Sequence, residues 1–257
     1  MSNKTIVITG STRGIGKGLA VEFAKKGCNI IVNGRSEDTV DESVEYLSKL
    51  NSNAIGVIGD VNDIKTHQKI IDVAVEKFSK IDIWINNAGI PQANELFVNL
   101  SPTSIKNIID VNIYGLIIGS QIAAQHMIKQ GFGKIFNMEG FGSDGRTMKK
   151  LSLYGTTKRA VNYFTKSLAK EFKNEQVQIG ILSPGMVRTD FLDSAMKNQS
   201  EEEIKKFKKV SDVLAEDVDK VSLFLSERVL SSTKNYDRIE FLTKSKLMVK
   251  IFKLMLK

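Results

Sequence analysis

Tyr154 and Lys158 are the residues best suited to acid–base chemistry. They stand four apart near the start of a predicted long helix, residues 153–174, so both side chains lie on one face. A free phenol has a pKa near ~10, and we expect a neighbouring ammonium to lower it. The pair could then give a proton to an oxygen that becomes an alkoxide, as in hydride transfer to a carbonyl. The spacing alone also fits a packed ring beside a solvated lysine.

A glycine-rich turn forms a second candidate site. Gly10-x-x-x-Gly14-x-Gly16 follows the β-branched apolar run 6–8 and precedes a helical pattern that ends at Gly27. A strand, a glycine turn and a helix in this order direct backbone N–H groups at a helix N-terminus toward a pyrophosphate. A glycine turn can be only a turn, but its position between strand and helix favours phosphate binding.

The end of the second predicted strand bears on the choice of dinucleotide. About 20 residues after the glycines, where an acid would hold a ribose hydroxyl, the chain has Gly34-Arg35 and no carboxylate. A guanidinium can bind a 2′-phosphate bidentately, and Arg13 in the glycine turn is a second cation within reach. The two arginines predict that NADP(H) is preferred over NAD(H). The other interpretation of each is a solvated surface residue.

The composition is that of an ordinary globular chain. Its 257 residues are 42% hydrophobic and 26% charged, which suits one large domain. The single cysteine, Cys28, excludes an internal disulfide and fits a reducing compartment. The few residues before the first strand do not fit a signal peptide, and no apolar run approaches the roughly 18 residues that span a bilayer. We therefore expect a cytoplasmic protein.

The net charge of +8 is concentrated at the end of the chain. Residues 244–257 carry five lysines and no acid, so +8 less five leaves +3 for the remainder. This distribution argues against a nucleic-acid partner. His67 and His126 are isolated in the sequence, and we expect no catalytic metal.

The order of the predicted elements indicates the fold class. Short apolar runs alternate with helical stretches of ten or more residues, which predicts a doubly wound, Rossmann-type parallel sheet with helices on both faces. Ligands should bind beyond the carboxyl ends of the strands. The predicted strands are 6–8, 30–32, 54–58, 81–85, 134–138, 177–182 and a last one at 238–242. The predicted helices are 14–27, 37–50, 63–78, 102–110, 113–129, 153–174, 200–209 and 217–229.

We expect one domain over residues 1–243, followed by a terminal helix. Residues 186–235 form a mainly helical insertion at the correct end of the sheet for a substrate lid, although a surface excursion fits equally well. Residues 244–257 form a basic amphipathic helix with its lysines on one narrow face. Such a helix can lie on a membrane surface or pack against the protein itself, and we favour packing.

Six motifs in order resemble the short-chain dehydrogenase/reductase family over about residues 4–190. They are Thr9-Gly10-x-x-x-Gly14-x-Gly16, Asp60-Val61, Asn86-Asn87-Ala88-Gly89, Val111-Asn112, Tyr154-x-x-x-Lys158 and Ser183-Pro184-Gly185. The resemblance implies a nicotinamide cofactor, a sheet of seven strands and a homodimer or homotetramer built through the helices at 113–129 and 153–174.

The same resemblance implies roles for individual residues. Tyr154 would be the acid/base, Lys158 would bind the nicotinamide ribose and tune Tyr154, and Asn112 would hold a water of the proton relay. The residues that would contact the cofactor are Gly10, Ser11, Thr12, Arg13, Gly14, Ile15, Gly16, Arg35, Asp60, Val61, Asn87, Ala88, Gly89, Tyr154, Lys158, Pro184, Gly185, Val187 and Thr189.

One position departs from the family pattern. The family has a catalytic serine three residues after the polar residue of the fifth strand, but here Asn137 is followed by Gly140 at that position. Ser143 could supply the hydroxyl if the loop curls back, and we favour this interpretation. Otherwise the serine is absent and activity is weak or lost.

The sequences of segments 135–143, 153–158 and 183–187 are similar to those of the chlorophyll(ide) b reductase branch of the family, which reduces a formyl group on a chlorin ring. The leading hypothesis is an NADPH-dependent enzyme that reduces an aldehyde or ketone, or oxidises the matching alcohol, with a substrate that could be bulky and hydrophobic. The alternatives are a cofactor-binding regulatory or scaffold protein, motivated by Gly140 and the basic residues 244–257, and a membrane-peripheral module that uses residues 244–257.

Overall fold

A single parallel sheet of seven strands organises the chain. The computed structural model describes residues 4–50, 53–173, 175–194 and 200–255. Within them the strand order is β3-β2-β1-β4-β5-β6-β7, and every pairing is parallel. The strands are β1 Thr5–Ile8, β2 Asn29–Gly34, β3 Ala54–Ile58, β4 Ile83–Asn86, β5 Gly133–Met138, β6 Val177–Ser183 and β7 Asp237–Glu240. The predicted fold class is confirmed.

The helices cover both faces of this sheet. They are α1 Gly14–Lys25, α2 Glu37–Ser48, α3 Ile64–Phe78, α4 Pro102–Ile109, α5 Leu116–Gln130, α6 Ser152–Glu171, α7 Asp190–Ser194, α8 Glu201–Leu214, α9 Val218–Ser231 and α10 Lys244–Met255. Residues of α1, α2 and α9 share one hydrophobic core with the sheet, while α3, α5 and α6 share the other. The alternating crossovers therefore bury the β-branched strands on both sides.

The strand order reverses between β1 and β4, which lie side by side through the pair Ile6 and Ile83. Chain connections leave these two strands in opposite directions, so their carboxyl ends open a crevice. The glycine turn after β1 and the Asn-Asn-Ala-Gly segment after β4 both enter this crevice.

The segment between α4 and α5 differs from the prediction of two separate helices. Asp110–Gly115 forms a π-helical turn that joins α4 to α5 in one helix, Pro102–Gln130. A π-helical turn holds an extra residue and often marks a functional site. This helix is long and apolar enough to cross a membrane, although no such apolar run was expected. Yet 56% of its most apolar window is buried within the domain, where α5 packs against α3 and β5.

The region after β6 contains more helix than predicted. α7 was not expected, and α8 continues to Leu214 rather than residue 209. An isolated parallel β-bridge pairs Val187 with Glu216 at the base of this excursion. Residues 1–3, 51–52, 174 and 195–199 of the predicted domain, the last of these within the predicted lid, lie outside the described residues, as do residues 256–257 of the predicted terminal helix.

The terminal helix α10 packs on α8 and turns lysines toward the body. Lys250 Nζ donates to the carbonyl oxygens of Val213 (2.9 Å) and Leu214 (3.3 Å) and forms a 2.7 Å ion pair with Glu216. Lys246 Nζ donates to the carbonyl of Phe241 at 3.1 Å. These contacts agree with packing against the protein itself. The exposed apolar residues of α10 include Met248 and Phe252.

Candidate active site

The glycine turn after β1 is compact because side chains would not fit there. Gly10 has a φ of +61°, and a Cβ added at Gly10 would lie 3.0 Å from the Cα of Ala88. A Cβ added at Gly16 would lie 2.3 Å from the Gly10 carbonyl oxygen and 2.5 Å from Asn87 Nδ2. The turn therefore depends on glycine at both positions.

Asn87 and Thr9 join this turn to the end of β4. Asn87 Nδ2 donates to the carbonyl oxygens of Thr9 (3.0 Å) and Gly10 (3.1 Å). Thr9 Oγ1 accepts from the N–H groups of Asn87 (3.0 Å) and Ala88 (3.1 Å). The N-cap residue of α1, Arg13, makes no side-chain cap. The first turn of α1 thus offers backbone donors and a positive dipole end to an anion, which fits the pyrophosphate of a dinucleotide.

Ser11, Thr12 and Ile15 have mainly packing contacts. The buried Ser11 hydroxyl donates to the carbonyl of Ile8 at 2.8 Å and accepts from the N–H of Asn33 at 3.0 Å. Thr12 contacts the end of β2, where a Cβ at Gly34 would lie 2.6 Å from its methyl group. Ile15 packs on the core shared by α1 and α2. The side chain of Ser11 is therefore committed to the protein rather than to a ligand.

Arg35 and Asp60 lie at the ends of β2 and β3. Arg35 is 66% exposed, and its Nη1 lies 3.8 Å from Asp60 Oδ2. Arg13 is also exposed. A loose, exposed ion pair of this kind contributes little to stability. The Arg35 guanidinium is thus free to exchange its partner for another anion.

Val61 is held by His67, a histidine for which the sequence suggested no partner. His67 Nε2 lies 2.7 Å from the Val61 carbonyl oxygen, and burial lowers the pKa of His67. A neutral ring must carry its proton on Nε2 to make this bond. His67 therefore fixes the loop after β3.

Tyr154 and Lys158 lie on one face of α6, as their spacing predicted, and that face lies at the carboxyl end of β5. Both side chains are buried, and Lys158 Nζ donates to the carbonyl oxygen of Met138 at 3.2 Å. The ammonium is 5.8 Å from the centroid of the Tyr154 ring. Phe191 of α7 packs against that ring with 5.5 Å between centroids.

The expected lowering of the Tyr154 pKa is not found. Burial raises the pKa of the Tyr154 phenol, because the charged phenolate would be desolvated. Burial also lowers the pKa of Lys158 to about 8, an effect that the carboxylate of Glu139 opposes. Tyr154 is therefore held in its protonated form at neutral pH.

Asn112 lies in the π-helical turn, close to the segment that follows β4. Its Oδ1 accepts from the N–H of Ile90 at 2.8 Å, and its Nδ2 donates to the carbonyl of Ile90 at 2.9 Å. A Cβ at Gly89 would lie 3.3 Å from Asn112 Oδ1 and 3.6 Å from Lys158 Nζ. The segment after β4 therefore passes close to both side chains.

The loop after β5 curls back onto α6, as the Ser143 hypothesis requires. The N–H of Ser143 donates to the carbonyl of Gly140 at 3.2 Å, and Arg159 Nη1 donates to the carbonyl of Ser143 at 2.9 Å. Ser143 is buried. At Gly140 a Cβ would lie 2.5 Å from Tyr154 Oη. The Tyr154 hydroxyl therefore occupies the space into which a side chain at position 140 would point.

The residues after β6 approach the start of α1. Gly185 has a φ of +77°, and the buried Pro184 and Val187 flank it. Thr189 Cγ2 lies 3.5 Å from the position of a Cβ on Gly14. The structure thus brings the start of the excursion into contact with the start of α1, next to the glycine turn.

Several residues around the site have no local signal in the sequence. The buried Gln92 accepts through Oε1 from the N–H groups of Leu153 (2.9 Å) and Tyr154 (3.1 Å) and so caps α6. Phe191 and the buried Glu139 also belong to this group. Only the missing cap at the start of α6 could have hinted that a distant acceptor was needed.

No group of three or more His, Cys, Asp or Glu side chains that could hold a metal ion occurs in residues 4–50, 53–173, 175–194 and 200–255.

Comparison with known proteins agrees with this geometry. The family model of short chain dehydrogenases matches residues 4–200. The chain is 36% identical over 258 residues to the chloroplastic chlorophyll(ide) b reductase NOL of Oryza sativa subsp. japonica, covering 96% of this chain and 74% of that protein. It is 33% identical over 202 residues to a 3alpha-hydroxysteroid dehydrogenase of Mediterraneibacter gnavus, covering 75% of this chain and 77% of that protein.

Among solved structures, a 3-ketoacyl-(acyl-carrier-protein) reductase of Brucella melitensis complexed with NADH has the same fold. The TM-score is 0.79 at 24% identity, over 93% of this chain and 96% of that chain.

The chain belongs to the short-chain dehydrogenase family and is an oxidoreductase with a nucleotide-binding Rossmann-type domain. The similarity to chlorophyll(ide) b reductases, noted in the motifs, is confirmed by the relatives. Members of the family use a nicotinamide cofactor, which is NADH in the Brucella structure.

Proposed function

We propose that this protein reduces an aldehyde or ketone with NADPH, or oxidises the matching alcohol, with Tyr154 as acid/base. The observation that carries the proposal is the convergence of Tyr154, Lys158 and Asn112 beside the glycine turn at one edge of the sheet. A Cβ added at Gly140 would lie within 3.6 Å of Tyr154 and Lys158, and one added at Gly89 would lie within 3.6 Å of Asn112 and Lys158.

The protonation of Tyr154 supports the reductive direction. Because burial raises its pKa, the phenol carries the proton that a carbonyl oxygen needs as it becomes an alkoxide. A nicotinamide bound beside Tyr154 would supply the hydride. Lys158 would bind the nicotinamide ribose through its ammonium, and Asn112 would hold a water of the proton relay. Ser143, on the curled loop, would orient the substrate carbonyl.

Other residues would hold the dinucleotide. The turn from Gly10 to Gly16 would bind the pyrophosphate, Asp60 and Val61 would border the adenine, and Asn87, Ala88 and Gly89 would support its ribose side. Val187 and Thr189 would face the nicotinamide amide, and Pro184 and Gly185 would contact the cofactor beside them.

The preference for NADPH rests on the two exposed cations. Arg35 is exposed at the end of β2 and holds Asp60 only loosely, so a 2′-phosphate can replace that carboxylate as its partner. Arg35→Ala should reduce the ratio of NADPH to NADH affinity. Lys17→Ala is the matched control. Lys17 is a nearby cation on α1, but its ammonium lies over the Tyr46 ring of α2. A variant at Arg35 that keeps its full NADPH preference would exclude Arg35 from the site.

A bulky, hydrophobic substrate is supported by Phe191. This aromatic ring is 37% exposed and lies directly beside Tyr154, where it can cover a flat ring system. Two relatives are named for chlorophyll(ide) b and for a hydroxysteroid, and both are polycyclic compounds.

The decisive experiment compares the natural protein with Tyr154→Phe in a screen of carbonyl compounds for NADPH oxidation. Tyr163→Phe is the matched control, since Tyr163 is on the same helix and 74% exposed. We expect loss of turnover in Tyr154→Phe alone. Equal rates in all three proteins would end the assignment. NADPH binding without Tyr154-dependent turnover would support the regulatory or scaffold alternative, which the glycine at position 140 favours.

We also propose a homodimer or homotetramer built through α5 and α6, in the cytoplasm. The exposed apolar side chains Ile128 on α5 and Tyr163 on α6 support such an interface. Light scattering of the natural protein and of Tyr163→Lys measures the assembly. The buried Cys28 thiol supports a reducing compartment, and fractionation of cells that express the tagged protein checks it.

A further inference from the structure

Glu139 is a charged residue in a place that disfavours charge. It follows β5 directly and precedes Gly140, and its side chain is fully buried. A buried carboxylate costs free energy unless partners compensate it. Nothing in the acid–base reaction proposed above uses this carboxylate, so its retention beside Tyr154 needs another reason.

Two elements supply its partners. Arg238 of β7 donates through Nη1 to Oε2 at 3.0 Å, and its Nη2 lies 2.5 Å from Oε1 as an ion pair without an aligned hydrogen bond. Asn162 of α6 donates through Nδ2 to Oε2 at 3.1 Å. The carboxylate therefore connects the end of β5 to a strand on one side and a helix on the other.

The bond to α6 falls on the face that carries the reactive pair. Tyr154, Lys158 and Asn162 are spaced by four residues and share one stripe of the helix. Lys158 Nζ is itself tied to the carbonyl of Met138, next to Glu139. Glu139 thus holds the third member of the stripe, while its neighbour in the chain holds the second.

Glu139 also acts on Lys158 through its charge. Burial lowers the pKa of the Lys158 ammonium to about 8, and the Glu139 carboxylate acts in the opposite direction. Tyr154 is the titratable neighbour of Lys158 on its own helix. On β7, the Arg238 guanidinium that contacts Glu139 also lies 3.9 Å from the carboxylate of Glu240. Arg238 and Glu240 are therefore the charged groups of β7 that lie closest to Glu139.

We propose that Glu139 is a positioning residue for the Tyr154–Lys158 pair: through Asn162 and Arg238 it fixes α6 against β5 and β7, next to the Met138 carbonyl that binds Lys158. This inference rests on the proposed function for its consequence in catalysis, but not for its physical content. The link from Arg238 through Glu139 to Lys158 makes the edge strand β7 part of the active-site support.

The test measures the titration of Lys158 directly. Lysine is labelled with ¹³C at Cε, and the Lys158 resonance is assigned by its loss in Lys158→Met. In Glu139→Gln the midpoint should fall by on the order of one pH unit, because a neighbouring charge at a moderate effective dielectric is worth about that much. Glu139→Asp should restore part of the fall. Glu240→Gln is the matched control, with the same charge change beside Arg238, and should leave the midpoint unchanged.

A second variant guards against misfolding. Glu139→Gln alone leaves Arg238 without its buried partner, so Glu139→Gln/Arg238→Gln removes both charges. The midpoint should then fall by less than in Glu139→Gln, because the more distant guanidinium no longer opposes the Lys158 ammonium. An unchanged Lys158 midpoint in whichever of these variants folds would overturn the inference. Failure of the proposed function looks different: Tyr154→Phe would keep its turnover, whatever the resonance shows.

Discussion

Substitution of Gly140 separates two explanations of the missing family hydroxyl. If the enzyme simply lacks a serine there, Gly140→Ser should raise the rate. The geometry predicts the reverse, because a Cβ at position 140 would lie 2.5 Å from Tyr154 Oη and 3.4 Å from Lys158 Cε. The contact with the phenol is too close for either atom to stay where it is.

The size of the effect follows from these distances. Ordinary contact begins near 3.4 Å, so the Tyr154 hydroxyl must retreat by about 0.9 Å. The ring cannot tilt freely, because it is buried and packs on Phe191. Misplacement of a reacting group by about 1 Å can cost ~10²-fold in rate. We therefore expect kcat to fall by about 10²-fold, with about 1–3 kcal/mol lost from the free energy of unfolding through overpacking.

The assay is steady-state NADPH oxidation with the best carbonyl compound from the screen, alongside urea unfolding. Gly140→Ala and Gly140→Ser form a matched pair, since they share the Cβ and differ only in the hydroxyl. Both should lose activity to a similar extent. Ser143→Ala should also lose about 10²–10³-fold if Ser143 is the donor to the carbonyl oxygen.

A rise in kcat for Gly140→Ser, or rescue of Ser143→Ala by Gly140→Ser, would refute this reasoning. Either result would mean that the phenol adapts to a side chain at position 140 and that the family hydroxyl is simply missing.

Three further predictions concern charge, capping and the terminal helix. NADPH affinity should weaken as the pH rises through about 8, where the Lys158 ammonium loses its proton, and fluorescence titrations should show no such break in Lys158→Met. Gln92→Ala leaves the N–H groups of Leu153 and Tyr154 without their acceptor, so the free energy of unfolding in urea should fall by about 1–3 kcal/mol. Gln92→Glu keeps an acceptor oxygen and should retain most of that free energy. Deletion of residues 245–257 should lower the melting temperature without changing binding to anionic vesicles, and a loss of vesicle binding would favour the membrane interpretation.

Local patterns were sufficient for the architecture. The β-branched run before Gly10 is buried as β1, and the helical pattern that follows is α1, because period and glycine placement are properties of a few neighbouring residues. Six such units in alternation leave little choice but a parallel sheet. The same spacing rule placed Tyr154 and Lys158 on one face of α6. The junction of α4 and α5 was predicted wrongly as a break, because a π-helical turn adds one residue to a continuous helix and so shifts the apolar period without ending the helix.

Tertiary structure decided how the reactive groups are supported and charged. The sequence predicted a lowered pKa for Tyr154 from an adjacent ammonium, but burial raises it, and burial depends on Phe191 and on the packing of distant segments. Gln92 and Glu139 act through partners 23 to 99 residues away, and no local pattern encodes such contacts. The chain order thus determined which residues could react, while long-range packing determined the state in which they are held.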